Sequence, residues 1–302
     1  MKNKNLVKGY LFIIASALIF GCMPLGAKFI YAEGVNSLSL VFLRNCLAIP
    51  ILAFLAKSQG HSLRIERSSL LEISIIAIMG CCVTPVLLFA SYNYLASGTA
   101  TILHFINPVM VVVGGILFLR EKVRKNVLLC VLICTVGICL FYNPGEPIDL
   151  RGSALALLSG VTYAAYILLL SVFKHKEISG FKFSFYITII SSVVLLLVCL
   201  ISGQLTFPVT LRGWLLSLVF SLSLCVGAAV LFQQGTFLIG GQRAAILSTV
   251  EPITSIFVGV LVFQETITVR TAFGSLLVVL ASILIAVFDM KGASETSTTQ
   301  TS

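Results

Sequence analysis

The chain has 302 residues, of which 58% are hydrophobic and only 10% are charged, and its mean hydropathy is +1.08. Soluble domains are about 45–50% apolar and roughly 25% charged, so this composition excludes a water-soluble protein. The formal net charge of +9 comes from basic residues in short loops between apolar blocks. That pattern orients a protein in a membrane and does not make a nucleic-acid-binding face.

The apolar blocks are about 18–22 residues long, enough for a helix to cross ~30 Å of hydrocarbon. Strands of a β-barrel would instead alternate polar and apolar residues. The sequence therefore predicts an all-α integral membrane protein with ten transmembrane helices. We place these spans at residues 8–30, 36–56, 69–93, 97–119, 126–142, 151–173, 181–202, 211–236, 242–263 and 270–289. Residues 290–302 are rich in Ser and Thr and predict a disordered cytoplasmic tail.

The charges in the loops predict the orientation of the chain. Lys and Arg residues concentrate on the side of the N-terminus, at residues 2–8, 57–67, 120–125 and 174–182. Positive loops mark the cytoplasmic side of a bilayer. We therefore expect both termini in the cytoplasm and the protein in the cell membrane.

Residues 99–124 align without gaps on residues 243–268, at an offset of 144. The aligned pairs include Pro108 with Pro252 and Glu121 with Glu265, residue types that are rare in apolar segments. Chance similarity between apolar helices is the alternative explanation. A true repeat would give one half at residues 1–142 and another at 151–289. Because five spans per half is an odd number, the second half would enter the membrane inverted, an arrangement found in secondary transporters.

The motifs of both halves resemble EamA-type members of the drug/metabolite transporter superfamily. In the first half they are Tyr94-x4-Thr99-Ala100-x7-Pro108 and Leu119-Arg120-Glu121; in the second half, Ala244-Ala245-Ile246-Leu247-x3-Glu251-Pro252-x12-Glu265. The resemblance covers essentially the whole chain and includes Arg44. It implies a carrier of two inverted five-helix repeats that moves small organic metabolites, often outward. One departure is that the first half has Asn107 where the second has Glu251.

Two ionisable residues lie deep inside predicted spans, where a charge costs several kcal/mol and therefore indicates function by default. Arg44 lies roughly 10 Å inside its span, at about 1.5 Å per residue. It could bind a carboxylate or phosphate of the solute, or be a structural cation that bonds helix-end carbonyls. Glu251 lies near the middle of its span. It could exchange a proton, bind an ammonium group, or simply tie its helix to a neighbour.

Other polar side chains are candidates for lining a solute cavity. They are His104, Asn107, Tyr163, Tyr166, Gln233 and Gln234. His104 and Asn107 share one helical face, three residues apart. A hydrogen-bonded packing role is the alternative for the histidine, and no second ligand at metal spacing accompanies it. The cysteines, including Cys81–Cys82, are interpreted as small apolar packing residues.

Four further residues are assigned structural roles. Pro108 and Pro252 are predicted to break their helices, since proline removes a backbone donor. Glu121 and Glu265 are predicted to accept hydrogen bonds at helix ends, from the first turn of the following span.

These features together predict a secondary transporter for an amino acid or related small organic solute, working by alternating access, with protons as the candidate coupling ion. The alternatives are a membrane-embedded enzyme, for which no nucleophile or paired acid–base motif is present, and a non-selective channel. No nucleotide-binding GxxxxGK[ST] motif occurs. We expect no cofactor, no metal and no nucleic-acid partner; the expected partners are the solute and the lipid bilayer.

Overall fold

The structure is a computed structural model that describes residues 2–60, 62–95, 97–120, 125–140, 149–175, 178–263, 269–270, 272–274, 276–281, 283–284 and 288. Throughout these residues the regular structure is helical, without strands. The α-helices of the first half are α1 (Lys2–Gly21), α2 (Met23–Tyr31), α3 (Ser37–Cys46), α4 (Ile49–Ser58), α5 (Arg67–Ala77), α6 (Thr84–Ser91), α7 (Ser97–His104), α8 (Asn107–Leu119) and α9 (Lys125–Cys139). Those that follow are α10 (Leu150–Val172), α11 (Gly180–Ser202), α12 (Leu211–Ser221), α13 (Ala229–Ile239), α14 (Gly241–Leu247) and α15 (Val250–Phe263).

Six stretches of the described chain form helices long and apolar enough to cross a membrane, counted through short interruptions. They are Asn5–Tyr31, Ser37–Ser58, Arg67–Ser91, Leu150–Val172, Gly180–Ser202 and Leu211–Ile239. These six coincide with six of the ten predicted spans. In the other four regions the described helices are shorter, namely α7 with α8, α9, α14 with α15, and the helical residues described between 269 and 288. The protein is therefore an all-α integral membrane protein, and the count of ten spans stays a prediction.

Several spans are interrupted near their middle, and proline explains most of the interruptions. A turn separates α1 from α2, α3 from α4, α7 from α8 and α14 from α15. In the second helix of each pair, Pro24, Pro50, Pro108 or Pro252 lies at the second or third position, where its missing donor costs nothing. Turns thus lie two to four residues before Pro108 and Pro252, the two prolines for which helix breaks are predicted.

Two further spans contain π-helical segments instead of turns. These segments are Ile78–Val83, between α5 and α6, and Leu222–Ala228, between α12 and α13. π-helical turns widen a helix locally and leave carbonyls without their usual partners, and they are frequent at functional sites.

Side chains from distant parts of the sequence bond the carbonyls that the interruptions release. Ser16 Oγ donates to the carbonyl of Ala228 at 2.8 Å, and Ser255 Oγ donates to the carbonyl of Gly21 at 2.8 Å. The carbonyl of Arg44 accepts from Ser221 Oγ and from Cys225 Sγ. A bilayer core offers no water for such groups, so irregular backbone is stable there only with internal partners.

The first and second parts of the chain pack into each other instead of forming two separate bundles. Helix α1 packs against α13 and α15, α10 packs against α6, α7 and α8, and α3 with α4 packs against α11. Polar contacts fasten α11 to the first part of the chain at both of its ends. At one end Asn36 Nδ2 donates to the carbonyl of Gln204 at 2.5 Å; at the other, Lys182 Nζ donates to the carbonyl of Arg64 at 2.6 Å.

Large apolar side chains cover the outer surface of the helices. Phe54 is 70% exposed, Phe118 81% and Ile201 87%. Such a surface would aggregate in water, whereas a lipid environment solvates it. Many polar side chains of the spans are buried, and a few of them line the site described next.

Candidate functional site

A cavity lies at the level of the helix interruptions. It holds about 670 Å³ of space between atoms, including space open to the outside. Its walls come from both parts of the chain, at Phe20, Met23, Arg44, Gly80, Cys81, Thr84, Pro85, Leu88, His104, Tyr163, Tyr166, Leu224, Cys225, Ala229, Phe232 and Glu251. Many of these residues flank a turn or lie in a π-helical segment, so the breaks in the helices shape the cavity.

Arg44 reaches the cavity from the last turn of α3. It is only 7% exposed, and its Nε is buried without a hydrogen-bond partner among the described residues. Its Cζ lies 5.9 Å from the centre of the Phe89 ring, which gives one cation–π contact. No carboxylate in the described part of the chain forms an ion pair with it. The guanidinium therefore keeps donors available for an anionic group.

Glu251 reaches the same cavity from the first turn of α15. It is 9% exposed, and no hydrogen bond or ion pair engages its carboxylate within the residues that the structure describes. The positive end of the α15 dipole favours a negative charge in this turn. The two charged residues thus face one cavity without forming a pair with each other.

Aromatic rings form a wall of the same cavity. The Tyr163 ring lies 5.7 Å from that of Tyr166, 5.3 Å from that of His104 and 5.8 Å from that of Phe232. Tyr166 stacks on Phe232 with an interplanar angle of 16°. Such a wall offers π faces to a planar or cationic group of a solute.

Hydrogen bonds fix the orientation of the His104 ring. Ser159 Oγ donates to the carbonyl of Ala156 at 2.6 Å and lies 2.8 Å from His104 Nδ1. Because a hydroxyl has one proton, we assign the donor role in the second bond to Nδ1–H. Nε2 of a neutral ring is then left as an acceptor.

The Tyr166 ring lies directly on Gly80 of the first π-helical segment. A Cβ atom at position 80 would overlap three carbons of that ring. On its other side, the Tyr166 hydroxyl lies 3.4 Å from Gln233 Nε2, and Gln233 Oε1 accepts from Ser184 Oγ at 2.5 Å. Gln233 therefore supports the aromatic wall from behind.

The structure brings five predicted site residues to the cavity: Arg44, His104, Tyr163, Tyr166 and Glu251. Asn107 and Gln233 are fully buried and lie behind it. Asn107 Nδ2 donates to the carbonyl of His104 at 3.2 Å, at the break before α8. Gln234 points toward Gly180 at the start of α11. Glu121, Glu265 and the tail at 290–302 lie outside the described residues.

Sequence reasoning missed several residues of the wall, among them Phe232, Thr84, Cys81 and Cys225. For Cys81 and Thr84 a signal existed, because Pro85 marks a disturbed helix as Pro108 does. The stretch around Cys225 and Phe232 has no proline. Only the offset of 144 from Cys81 to Cys225 could have pointed there.

The family comparison agrees with this arrangement of two related parts around one cavity. The model of the EamA-like transporter family matches the chain twice, at residues 7–143 and 150–287. The chain belongs to the EamA-like transporter family. The family and the names of the relatives below argue against an enzyme, and they make the chain a multi-pass membrane transporter that contacts the lipid bilayer and a small solute.

Curated relatives of this EamA-like protein span nearly its whole length. An inner membrane transporter of Salmonella typhimurium named YicL is 25% identical over 317 residues, covering 95% of this chain and 97% of its own. A transporter of Archaeoglobus fulgidus is 27% identical over 279 residues, covering 91% and 94%. A transporter of Clostridium kluyveri is 20% identical over 293 residues, covering 92% of each chain.

A solved crystal structure has the same fold. It aligns with a TM-score of 0.76 at 16% sequence identity, covering 94% of this chain and 98% of the other. At that identity the likeness concerns the fold alone.

Proposed function

We propose that this EamA-like protein is a secondary transporter of the cell membrane that carries a small zwitterionic metabolite, an amino acid or a related solute. The carrying observation is the pair Arg44 and Glu251, a buried basic and a buried acidic side chain that face one cavity and have no ion-pair partner among the described residues. A solute with an anionic and a cationic group would neutralise both, and the energy of burying each charge then favours the loaded state.

Arg44 is the proposed partner of the solute's carboxylate, because a guanidinium matches a carboxylate with two parallel hydrogen bonds. Glu251 is the proposed partner of the ammonium group. The aromatic wall, including His104, Tyr163 and Tyr166, would contact the remainder of the solute. Asn107, Gln233 and Gln234 would shape the site from behind, because none of them lines the cavity.

The proposed transport cycle is alternating access in a frame of ten spans, built as two inverted halves at 1–142 and 151–289, with both termini in the cytoplasm. The two family matches support this frame, as does the offset of 144 residues shared by the starts of the two π-helical segments and by Pro108 and Pro252. A carboxylate that holds either a proton or the solute's ammonium group would couple solute export to proton entry. Glu251 is the residue proposed for that exchange.

A ligand screen on the purified protein tests the proposed solute class. The probes are sets of three related compounds: an amino acid, its amide without the carboxylate, and its deaminated acid without the ammonium group. We expect thermal stabilisation by at least one amino acid, as binding to the folded state requires, and much weaker stabilisation by its two partial analogues. Equal stabilisation by an amide would contradict the role of Arg44.

Counterflow in proteoliposomes tests the carrier mechanism with the amino acid that the screen identifies. Vesicles loaded with unlabelled solute should transiently accumulate labelled solute from outside above its equilibrium level. A channel equilibrates the label without such an overshoot, so a monotonic approach to equilibrium would exclude the carrier.

A further inference from the structure

The two π-helical segments occupy equivalent positions in the two parts of the chain. The first begins at Ile78 and the second at Leu222, an offset of 144, which is also the offset of Pro108 from Pro252. Cys81 and Cys225 have the same offset and lie within these segments. Both are free thiols, and both line the cavity.

These two thiols line the cavity and the neighbouring Cys82 does not, although Cys225, at 5% exposed, is as buried as Cys82. Cys82 is 4% exposed, lies outside the cavity lining and directs its Sγ to the carbonyl of Ser191 at 3.7 Å. Cys22 and Cys139 are exposed but sit in apolar spans, where lipid covers the surface. Among the described residues, Cys81 and Cys225 are thus the cysteines at the cavity wall.

Arg44 gives this part of the cavity a positive charge, because it lines the same cavity as both thiols. The Cys225 Sγ lies 3.3 Å from the carbonyl of Arg44. The Arg44 side chain is more than nine-tenths buried, and its Nε has no partner among the described residues. A small anion that enters the cavity would therefore be drawn toward the two sulfurs.

We propose that Cys81 and Cys225 form a covalent modification site for small anionic disulfides and thiosulfonates, and that an attached group occupies the space of the solute. In the step, a cysteine thiolate attacks one sulfur of the reagent. A new S–S bond forms and the reagent's own bond to its second sulfur breaks; the leaving group departs as thiolate or sulfinate with the electron pair. The thiol proton goes to water. The protein sulfur is oxidised and the reagent is reduced, so no further reactant is needed.

Intact-mass measurement of the folded wild-type protein in detergent tests the proposal directly. The probes are the anionic 2-sulfonatoethyl and the cationic 2-(trimethylammonio)ethyl methanethiosulfonates. We expect adducts at Cys81 and Cys225, with the anionic reagent reacting about tenfold faster, because a cleft of one charge concentrates ions of the opposite sign. Arg44→Gln should abolish this preference. A wild-type mass that stays unchanged, or equal rates for the two reagents, would overturn the site.

Cysteine variants assign the adducts to positions. The double variant Cys81→Ser/Cys225→Ser should lose the adducts, whereas the matched control Cys82→Ser should react as the wild type does. Adducts that persist in the double variant would place the reaction at other cysteines and refute the proposal. The expectation that an attached group blocks the solute rests on the proposed function, whereas the labelling itself does not. A protein that is labelled as expected but moves no solute would therefore refute only the transporter proposal.

Discussion

At the residue scale, the unusual property of this protein is that a basic and an acidic side chain share a cavity without pairing with each other. Ion pairing would have been the simplest way to reduce the cost of burying Arg44 and Glu251. Their separation within the cavity instead leaves each available to a ligand. Conservative substitutions at both positions therefore test binding without removing the shape of the side chain.

Glu251→Gln keeps the shape of the side chain and removes its charge and its exchangeable proton. We expect transport driven by a pH gradient to be lost, while solute exchange at saturating concentration largely persists. Affinity for the zwitterion should fall about tenfold, the effect of losing roughly 1.4 kcal/mol. The measurements are gradient-driven and exchange fluxes in proteoliposomes, with Glu66→Gln on the exposed surface as control. A structural carboxylate would give lower thermal stability and an unchanged pH profile instead.

Arg44→Lys keeps the positive charge but loses the two-pronged geometry of the guanidinium. Binding of a carboxylate-bearing solute should weaken by about tenfold, whereas binding of the corresponding amide should change little. Thermal-shift titration measures both, and Arg67→Lys at the exposed start of α5 is the matched control. Wild-type affinity in the Arg44 variant would remove this residue from the binding site.

At the element scale, the cavity exists because the helices around it are interrupted. A continuous helix satisfies its own carbonyls and presents a closed surface of side chains. The turns before Pro108 and Pro252 and the two π-helical segments instead direct residues such as His104 and Glu251 inward. Side chains from the other part of the chain then bond the released carbonyls, which couples the local geometry of each break to the packing of the whole molecule.

Pro108→Ala and Pro252→Ala restore a backbone donor next to these turns. We expect the straightened helices to lower transport severalfold while the protein still folds, because lost breaks change the cavity more than the surrounding packing. Flux measurements and thermal unfolding report the two effects separately. Val109→Ala and Ile253→Ala, one residue beyond each proline, are the controls. Full transport in both proline variants would make the kinks incidental.

Gly80→Ala places a methyl group where the Tyr166 ring now lies. The ring must move, and we expect a loss of stability of about 1–3 kcal/mol, as for other overpacked positions, together with weaker solute binding. Gly227→Ala in the second π-helical segment is the matched control, since a Cβ there would meet its nearest atom at 3.5 Å. Thermal unfolding measures the stability of both variants. If Gly80→Ala were as stable as Gly227→Ala, the Tyr166 ring would move aside without cost.

At the scale of the whole molecule, the two parts of the chain are interleaved, so neither encloses the cavity alone. Arg44 comes from the first family match and Glu251 from the second. Movement of one part against the other would therefore change the distance between the two charges, which is the kind of change that alternating access requires.

A topology measurement tests the proposed frame of ten spans. A reporter fused after Ser302 should register on the cytoplasmic side, and one inserted within residues 143–146 should register outside, because five spans separate the first half's two ends. Activity assays of an enzyme reporter at each position give the result. If both reporters registered on the same side, the count of spans would be wrong by one, and the two halves would not be inverted relative to each other.

The sequence by itself determined the membrane class and the family resemblance, and it predicted helix breaks at Pro108 and Pro252, because these depend on local composition. Apolar length specifies a span, proline favours a break, and an ionisable residue inside an apolar block is costly enough to be a candidate for function. For the same reason, their position inside apolar blocks was enough to select Arg44 and Glu251 as candidate site residues.

Only the tertiary structure decided which of the polar residues meet. Asn107 and His104 share a helical face, yet the first bonds a backbone carbonyl behind the cavity and the second lines it. The thiols of Cys81 and Cys225 resemble packing residues in the sequence, and they reach the cavity from π-helical segments. Such placements depend on contacts between residues more than a hundred positions apart, and hydropathy and local spacing contain no information about those contacts.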